Sequence, residues 1–167
     1  MCIRDRSIHD WQILQPAILE ALVHLTLGGP MPAYHGGHLH VAVRYFDAEK
    51  NRPGLPADVA ALVSKITATT VELTLVNTSA SATRSAVIQA GAFAEHQILS
   101  AIDAKGVKTV VNGAHLQVDL APGAISSLTL EVARFSNLPT YEGPFTPAQT
   151  DVSIPATIKG RDLTSEN

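Results

Sequence analysis

The chain has 167 residues, with 12 Lys and Arg against 15 Asp and Glu, for a formal net charge of −3. A hydrophobic fraction of 46% beside a charged fraction of 16% excludes a disordered chain, which would be poorer in apolar residues and richer in net charge. There is no basic stripe for a nucleic-acid backbone to meet, no apolar run of the roughly 18–20 residues that span a bilayer, and only one cysteine, so neither an internal disulfide nor a multi-cysteine zinc site is available.

The first six residues, Met1-Cys2-Ile3-Arg4-Asp5-Arg6, resemble a translated sequencing adapter of the kind that heads open reading frames assembled from metagenomic DNA. Read so, residues 1–6 are a non-native leader, Cys2 is foreign, and the chain is a fragment whose own N-terminus lies upstream. Asp10 to Leu27 predicts a helix: Asp10 suits the N-cap, and Trp11, Leu14, Ile18, Leu22 and Leu25 recur at spacings of three and four. Pro16 predicts a kink or a later start, and Gly28-Gly29-Pro30 a stop. Ile13, Ala17, Leu19, Ala21, Val23 and Leu27 make this helix apolar on nearly every side. Such a helix needs cover all round, more than one small β-domain supplies. Residues 7–30 are therefore read as a helix left from an upstream domain, the alternative being a helix in a groove of the domain itself.

From Gly36 the period changes to two. His38 to Tyr45 alternates, with Leu39, Val41, Val43 and Tyr45 on one face, and Asp47 to Pro56 is a polar Pro/Gly loop. Asp58 to Ile66 reads as a short helix, so residues 31–68 read as a connecting strand and loop. Strands are predicted over Thr69–Val76, Arg84–Ala92, Glu95–Ile102, Val107–Val111, Ala114–Leu120 and Ser127–Ala133. Their inward sets are Val71, Leu73 and Leu75, then Leu116, Val118 and Leu120, then Leu128, Leu130 and Val132. Turns are predicted at Asn77–Ala82, Ala104-Lys105-Gly106 and Pro122-Gly123, and Asn112-Gly113 is the strongest hairpin signal in the chain. About seven strands without βαβ alternation predict an all-β antiparallel sandwich over 69–145. Periodicity then vanishes, and residues 146–167 read as a polar tail.

Three histidines fall within six residues, at His35, His38 and His40. On a strand His38 and His40 share a face, and paired imidazoles can hold a metal. The pair resembles the His-x-His of cupin barrels, but Ala42, Arg44 and Tyr45 stand where a glutamate is expected, and Arg44 on the same face repels a cation. The alternatives are a face turned to a substrate or partner and an ordinary polar sheet face. Arg44, Asp47, Glu49, Arg52 and Asp58 surround the Pro/Gly loop. Paired carboxylates there could serve glycoside hydrolysis, or the loop is simply solvated. His38, His40, Arg44, Asp47 and Arg52 are carried as interface or substrate-facing candidates.

No Gly-x-Ser-x-Gly elbow and no phosphate-binding glycine loop is present, and no cofactor is assigned. Asn77-Thr78-Ser79 fits a glycosylation sequon, and equally a strand-end turn. Aromatic residues are only 5% of the chain, with Trp11 on the helix and Tyr45 on an apolar strand face. That composition disfavours a free-standing carbohydrate-binding module with a stacking platform.

Three segments then stand out: Val71-Glu72-Leu73-Thr74-Leu75-Val76-Asn77-Thr78-Ser79, Ala86-Val87-Ile88-Gln89-Ala90-Gly91, and Val118-Asp119-Leu120-Ala121-Pro122-Gly123. Together, over about Thr69 to Phe135, they resemble the C-terminal β-sandwich domains that follow the catalytic domain in many glycoside hydrolases and related polysaccharide-active enzymes. The resemblance implies a module that packs on and stabilises a catalytic domain preceding it in cis, with the catalytic residues in that domain and none here. The other readings are a small cupin-like metal-dependent barrel using His38 and His40, and a stand-alone ligand-binding module.

Overall fold

The computed structural model describes residues 20–29 and 40–145. One helix, α1 (Glu20–Leu27), precedes nine strands: β1 (Val43–Asp47), β2 (Arg52–Pro53), β3 (Val59–Ile66), β4 (Thr70–Asn77), β5 (Arg84–Ala90), β6 (Gln97–Asp103), β7 (Lys108–Gly113), β8 (His115–Leu120) and β9 (Ile125–Ala133). They form two antiparallel sheets, one ordered β2-β1-β5-β8 and the other β3-β4-β9-β6-β7. The chain is thus an all-β sandwich. The leader expected over Met1–Arg6, the part of the expected helix that precedes Glu20 and carries Trp11, and the tail expected beyond Phe145 fall outside the described residues.

The inward parity expected of three strands holds. Val71, Leu73, Leu75, Leu128, Leu130 and Val132 from the five-stranded sheet meet Val43, Tyr45, Ile88 and Leu120 from the four-stranded one in a single buried cluster. Leu116 and Val118 pack against its edge. Tyr45 sits in this cluster with its hydroxyl buried and unpartnered among the described residues, and burial pushes its phenol far above the ordinary range.

Two strands exceed the seven expected. One is the two-residue β2. The other is β3, which replaces the short helix expected over Asp58–Ile66. It pairs with β4 from Val59↔Asn77 to Ile66↔Val71, with a bulge between Val63 and Lys65. The bulge breaks the alternation, so Val59, Val63 and Ile66 fall at helical spacing by accident. Residues 43–66 therefore supply β1, β2 and β3 to the two sheets, where one connecting strand and a Pro/Gly loop were expected.

The Asn112-Gly113 hairpin does not form. β7 pairs with β6 and β8 with β5, so the dipeptide turns the corner between sheets. A type I′ turn needs both central residues at positive φ. Asn112 is left-handed at φ 50, but Gly113 is not among the positive-φ residues. Hairpins join β1 to β2, β3 to β4 and β6 to β7, and every other connection changes sheet.

Two of these crossings, β4 to β5 and β8 to β9, lie side by side and are joined by Asn77. This side chain is 1% exposed. Its amide nitrogen donates to the carbonyls of Ala82 (2.8 Å), Leu120 (3.0 Å) and Ala121 (3.0 Å), and its Oδ1 accepts the Ser79 N–H at 3.0 Å. The Gly123 N–H donates to Ser79 O and the Asn77 N–H to Ala124 O, both at 3.0 Å. The sequon asparagine is therefore the strand-end turn residue, and the folded chain does not offer its amide for modification.

Helix α1 stops at Gly28, left-handed at φ 65, whose N–H donates to His24 O at 3.1 Å. A Cβ there would stand 2.7 Å from Ile66 Cδ1 and 3.0 Å from Ala42 Cβ, so only glycine lets the helix end so close to β3. Val23 is buried with Val41 and Ala92, and Leu27 bridges this small cluster to the main core.

Asn77→Ala removes the donor from one buried and two part-buried carbonyls at once and is expected to destabilise the fold by about 3 kcal/mol, read from a urea midpoint. Tyr45→Phe removes an unpartnered hydroxyl without changing the ring. It is expected to be neutral or to stabilise by about 1 kcal/mol, and a clear loss of stability would contradict this account of the core.

Candidate functional site

The outer face of the four-stranded sheet gathers the polar and aromatic side chains that the core rejects. Register places Arg44, Gln89 and His115 in one row across β1, β5 and β8, and Phe46 and Val87 in the next, with Pro53 of β2 opposite Phe46. Gln89 is 1% exposed although it points away from the core. Its amide nitrogen donates to Gly91 O (3.2 Å) and Ala92 O (3.1 Å), which leaves its Oε1 to accept from His115 Nε2 at 3.0 Å. That network assigns the His115 proton to Nε2. The Arg44 guanidinium lies 5.2 Å from the centre of the Phe46 ring and donates to Ala92 O at 3.4 Å.

A strap, residues 135–145, runs over this face from the end of β9. It is tied to the loop between β5 and β6. The Asn137 amide donates to Ala94 O and His96 O, both at 3.0 Å, and the Thr140 N–H donates to Phe93 O at 2.8 Å. The Phe135 N–H donates to His96 Nδ1 at 3.0 Å, so His96 accepts there only while Nδ1 is unprotonated. The loop itself is closed by the Glu95 carboxylate, which accepts the N–H groups of Ala92 (3.2 Å) and Phe93 (2.7 Å). Beyond Thr140, Tyr141 stands edge-on to Phe93 of that loop at 5.2 Å, and the strap meets the sheet face where Phe145 stands edge-on to Phe46 at 6.2 Å. Between strap and sheet lies a cleft of about 330 Å³, lined by Arg44, Phe46, Asn51, Pro53, Tyr141 and Phe145 together with Gly143.

The residues proposed from the sequence do not share one site. His35 and His38 lie outside the described residues. His40 is exposed and precedes β1, so it is not part of the strand on which the His38–His40 pair was placed. Among the described residues no three His, Cys, Asp or Glu side chains converge as metal ligands. Arg44 faces outward into the cleft, whereas Asp47 faces the other way, 1% exposed. Asp47 closes the β1–β2 turn, accepting the N–H groups of Glu49 (3.1 Å) and Lys50 (3.2 Å) and lying 3.4 Å from Arg52. The remaining loop carboxylates, Glu49 and Asp58, flank Arg84 at 3.4 and 3.0 Å, so that guanidinium draws both into ion pairs.

Sequence reasoning did not single out Gln89, His115, Phe46, Tyr141 or Phe145. Parity alone places Phe46 and His115 on the outward face, but their company depends on the β1-β5-β8 order, and Tyr141 and Phe145 lie where periodicity has ended.

Burial pushes both His96 and His115 below the ordinary 6.5; at His96 the Glu95 charge opposes this and the Arg134 charge adds to it. Folded histidines held neutral contribute stability that is complete above the unfolded value and is lost as pH falls through the folded one. The urea midpoint is therefore expected to fall between about pH 7.5 and about pH 5, before carboxylates titrate, and His115→Gln is expected to flatten that slope. A midpoint constant across that window would contradict it.

Comparison with protein-family models, with curated protein sequences and with solved structures finds no match to this chain.

Proposed function

We propose that this chain is an accessory β-sandwich that packs, through α1, on the catalytic domain preceding it in a larger, carbohydrate-active enzyme. One observation carries this reading. Helix α1 is apolar on two opposite sides, and the sandwich covers one. Val23 and Leu27 face the sandwich, while Leu22 is 58% and Leu25 48% exposed. On β3, against which the helix end lies, Leu62 and Ile66 are 44% and 43% exposed. Burying leucine and isoleucine side chains contributes roughly 1.5–3 kcal/mol each when complete, so a second body across this surface would gain several kcal/mol.

The carbohydrate part of the reading rests on the resemblance of the strand motifs. Asn77 supports treating those motifs as one unit, because it belongs to the first and bonds Leu120 and Ala121 of the last. The cupin-like alternative draws no support from His40, which stands ahead of its strand. No helix among the described residues is long and apolar enough to cross a membrane.

The coding sequence in frame upstream of Ser7 tests the reading directly. An open frame encoding a folded domain with a catalytic carboxylate pair is expected, and a stop codon immediately upstream would contradict it. In the isolated chain the uncovered helix face is expected to drive self-association, measured by sedimentation. Leu22→Lys with Leu25→Lys is expected to abolish it without lowering the thermal midpoint, since both side chains already face solvent.

A further inference from the structure

We propose that the cleft over β1 binds a carboxylate-bearing sugar ring, a uronic acid, with Arg44 taking the carboxylate. A guanidinium carries five N–H donors in a planar fork that matches a carboxylate. Here, among the described residues, one hydrogen bond is made, from Nη1 to Ala92 O at 3.4 Å, and Gln89 already serves that carbonyl at 3.1 Å. Among the described residues no carboxylate lies within ion-pair distance of Arg44, whereas Arg52, Lys65 and Lys108 each have one and Arg84 has two. Glu142 stands next to Tyr141 on the strap and is exposed, without an ion pair to Arg44.

The guanidinium is held in place without being neutralised. The Phe46 ring lies 5.2 Å from it, and β1 is paired on both sides, by β2 and β5. This geometry keeps a half-buried positive charge ready for an anion, where Coulomb attraction is stronger than in open water. The rest of the cleft suits a ring that is apolar on one side and polar on the other. Phe46, Pro53, Tyr141 and Phe145 offer apolar surface and the Asn51 amide offers a donor and an acceptor. A volume of about 330 Å³ falls at the small end of the roughly 300–1,000 Å³ of ligand pockets, which fits one sugar unit. The choice of a sugar over other carboxylates rests on the carbohydrate reading above; the anion site does not.

The test is an NMR titration of the intact chain with glucuronate, glucose and acetate, each to about 50 mM, a range that reveals weak single-site binding. Glucuronate is expected to shift the signals of Arg44, Phe46, Asn51 and Tyr141 saturably. Arg44→Gln is expected to raise its dissociation constant at least tenfold, and Tyr141→Ala, at a side chain that is 91% exposed, severalfold. The thermal midpoint of both variants reports that the fold is kept, since Gln89 still satisfies Ala92 O without Arg44. The absence of glucuronate shifts, equal shifts with glucose, or binding undiminished in Arg44→Gln would each overturn the proposal. Acetate binding as tightly as glucuronate would overturn the sugar class. The Leu22→Lys and Leu25→Lys variant is expected to bind glucuronate normally, so failure of the docking surface and failure of the cleft are read separately.

Discussion

The Asn77 side chain ties together two adjacent corners where the chain passes from one sheet to the other. In a sheet, backbone groups satisfy one another along the ladder, but a chain leaving one sheet for the other must drop its partners at the corner. Two such corners meet at Asn77, and its amide serves the carbonyls that both leave behind. A side chain with one acceptor and two donor hydrogens is the right size for this work, and no apolar residue of similar volume could do it. The neighbouring contacts follow from it. Thr78 bonds Asp58 O, Asp58 pairs with Arg84, and Arg84 also reaches Glu49, so the whole end of the sandwich is cross-linked.

The opposite end is organised by a different device, the loop from Gly91 to His96. Glu95 folds back on the loop's own N–H groups, His96 receives the strap, and Asn137 locks the strap to the loop carbonyls. The strap then brings Phe145 to Phe46. A polar sheet face that would otherwise be washed by solvent becomes a cleft with one unneutralised guanidinium. The exposed apolar side chains of α1 and β3, Leu22, Leu25, Leu62 and Ile66, do not line the cleft, so the proposed packing on a neighbour and the proposed binding in the cleft use different side chains.

Strand parity was legible wherever a strand is regular and has one face in the core. β4, β8 and β9 alternate without interruption, and Val71, Leu73, Leu75, Leu120, Leu128, Leu130 and Val132 all point inward as expected. Irregularity hid the rest. The bulge in β3 gave a strand the spacing of a helix, and Asn112-Gly113 looked like a hairpin because turn chemistry is local while strand pairing is not. The candidate site was least legible for the same reason. Arg44 was singled out, but its neighbours Gln89 and His115 come from strands about 45 and 70 residues away, assembled by a sheet order that no local pattern encodes. Asp47 and Arg52 were grouped with Arg44 by proximity in sequence, yet the pleat sends Asp47 to the other face.

The central claim is that the sandwich is held as one unit by its paired corners, with the strap added on top. Amide hydrogen exchange under native conditions tests it most directly. The N–H groups of Asn77 and Gly123 are expected to exchange only through global unfolding, with the same opening free energy as Leu73 and Leu130 in the central strands. The N–H groups of Asn137 and Thr140 in the strap are expected to exchange faster, by local opening. Rapid local exchange at Asn77 and Gly123, with the central strands still protected, would contradict the account.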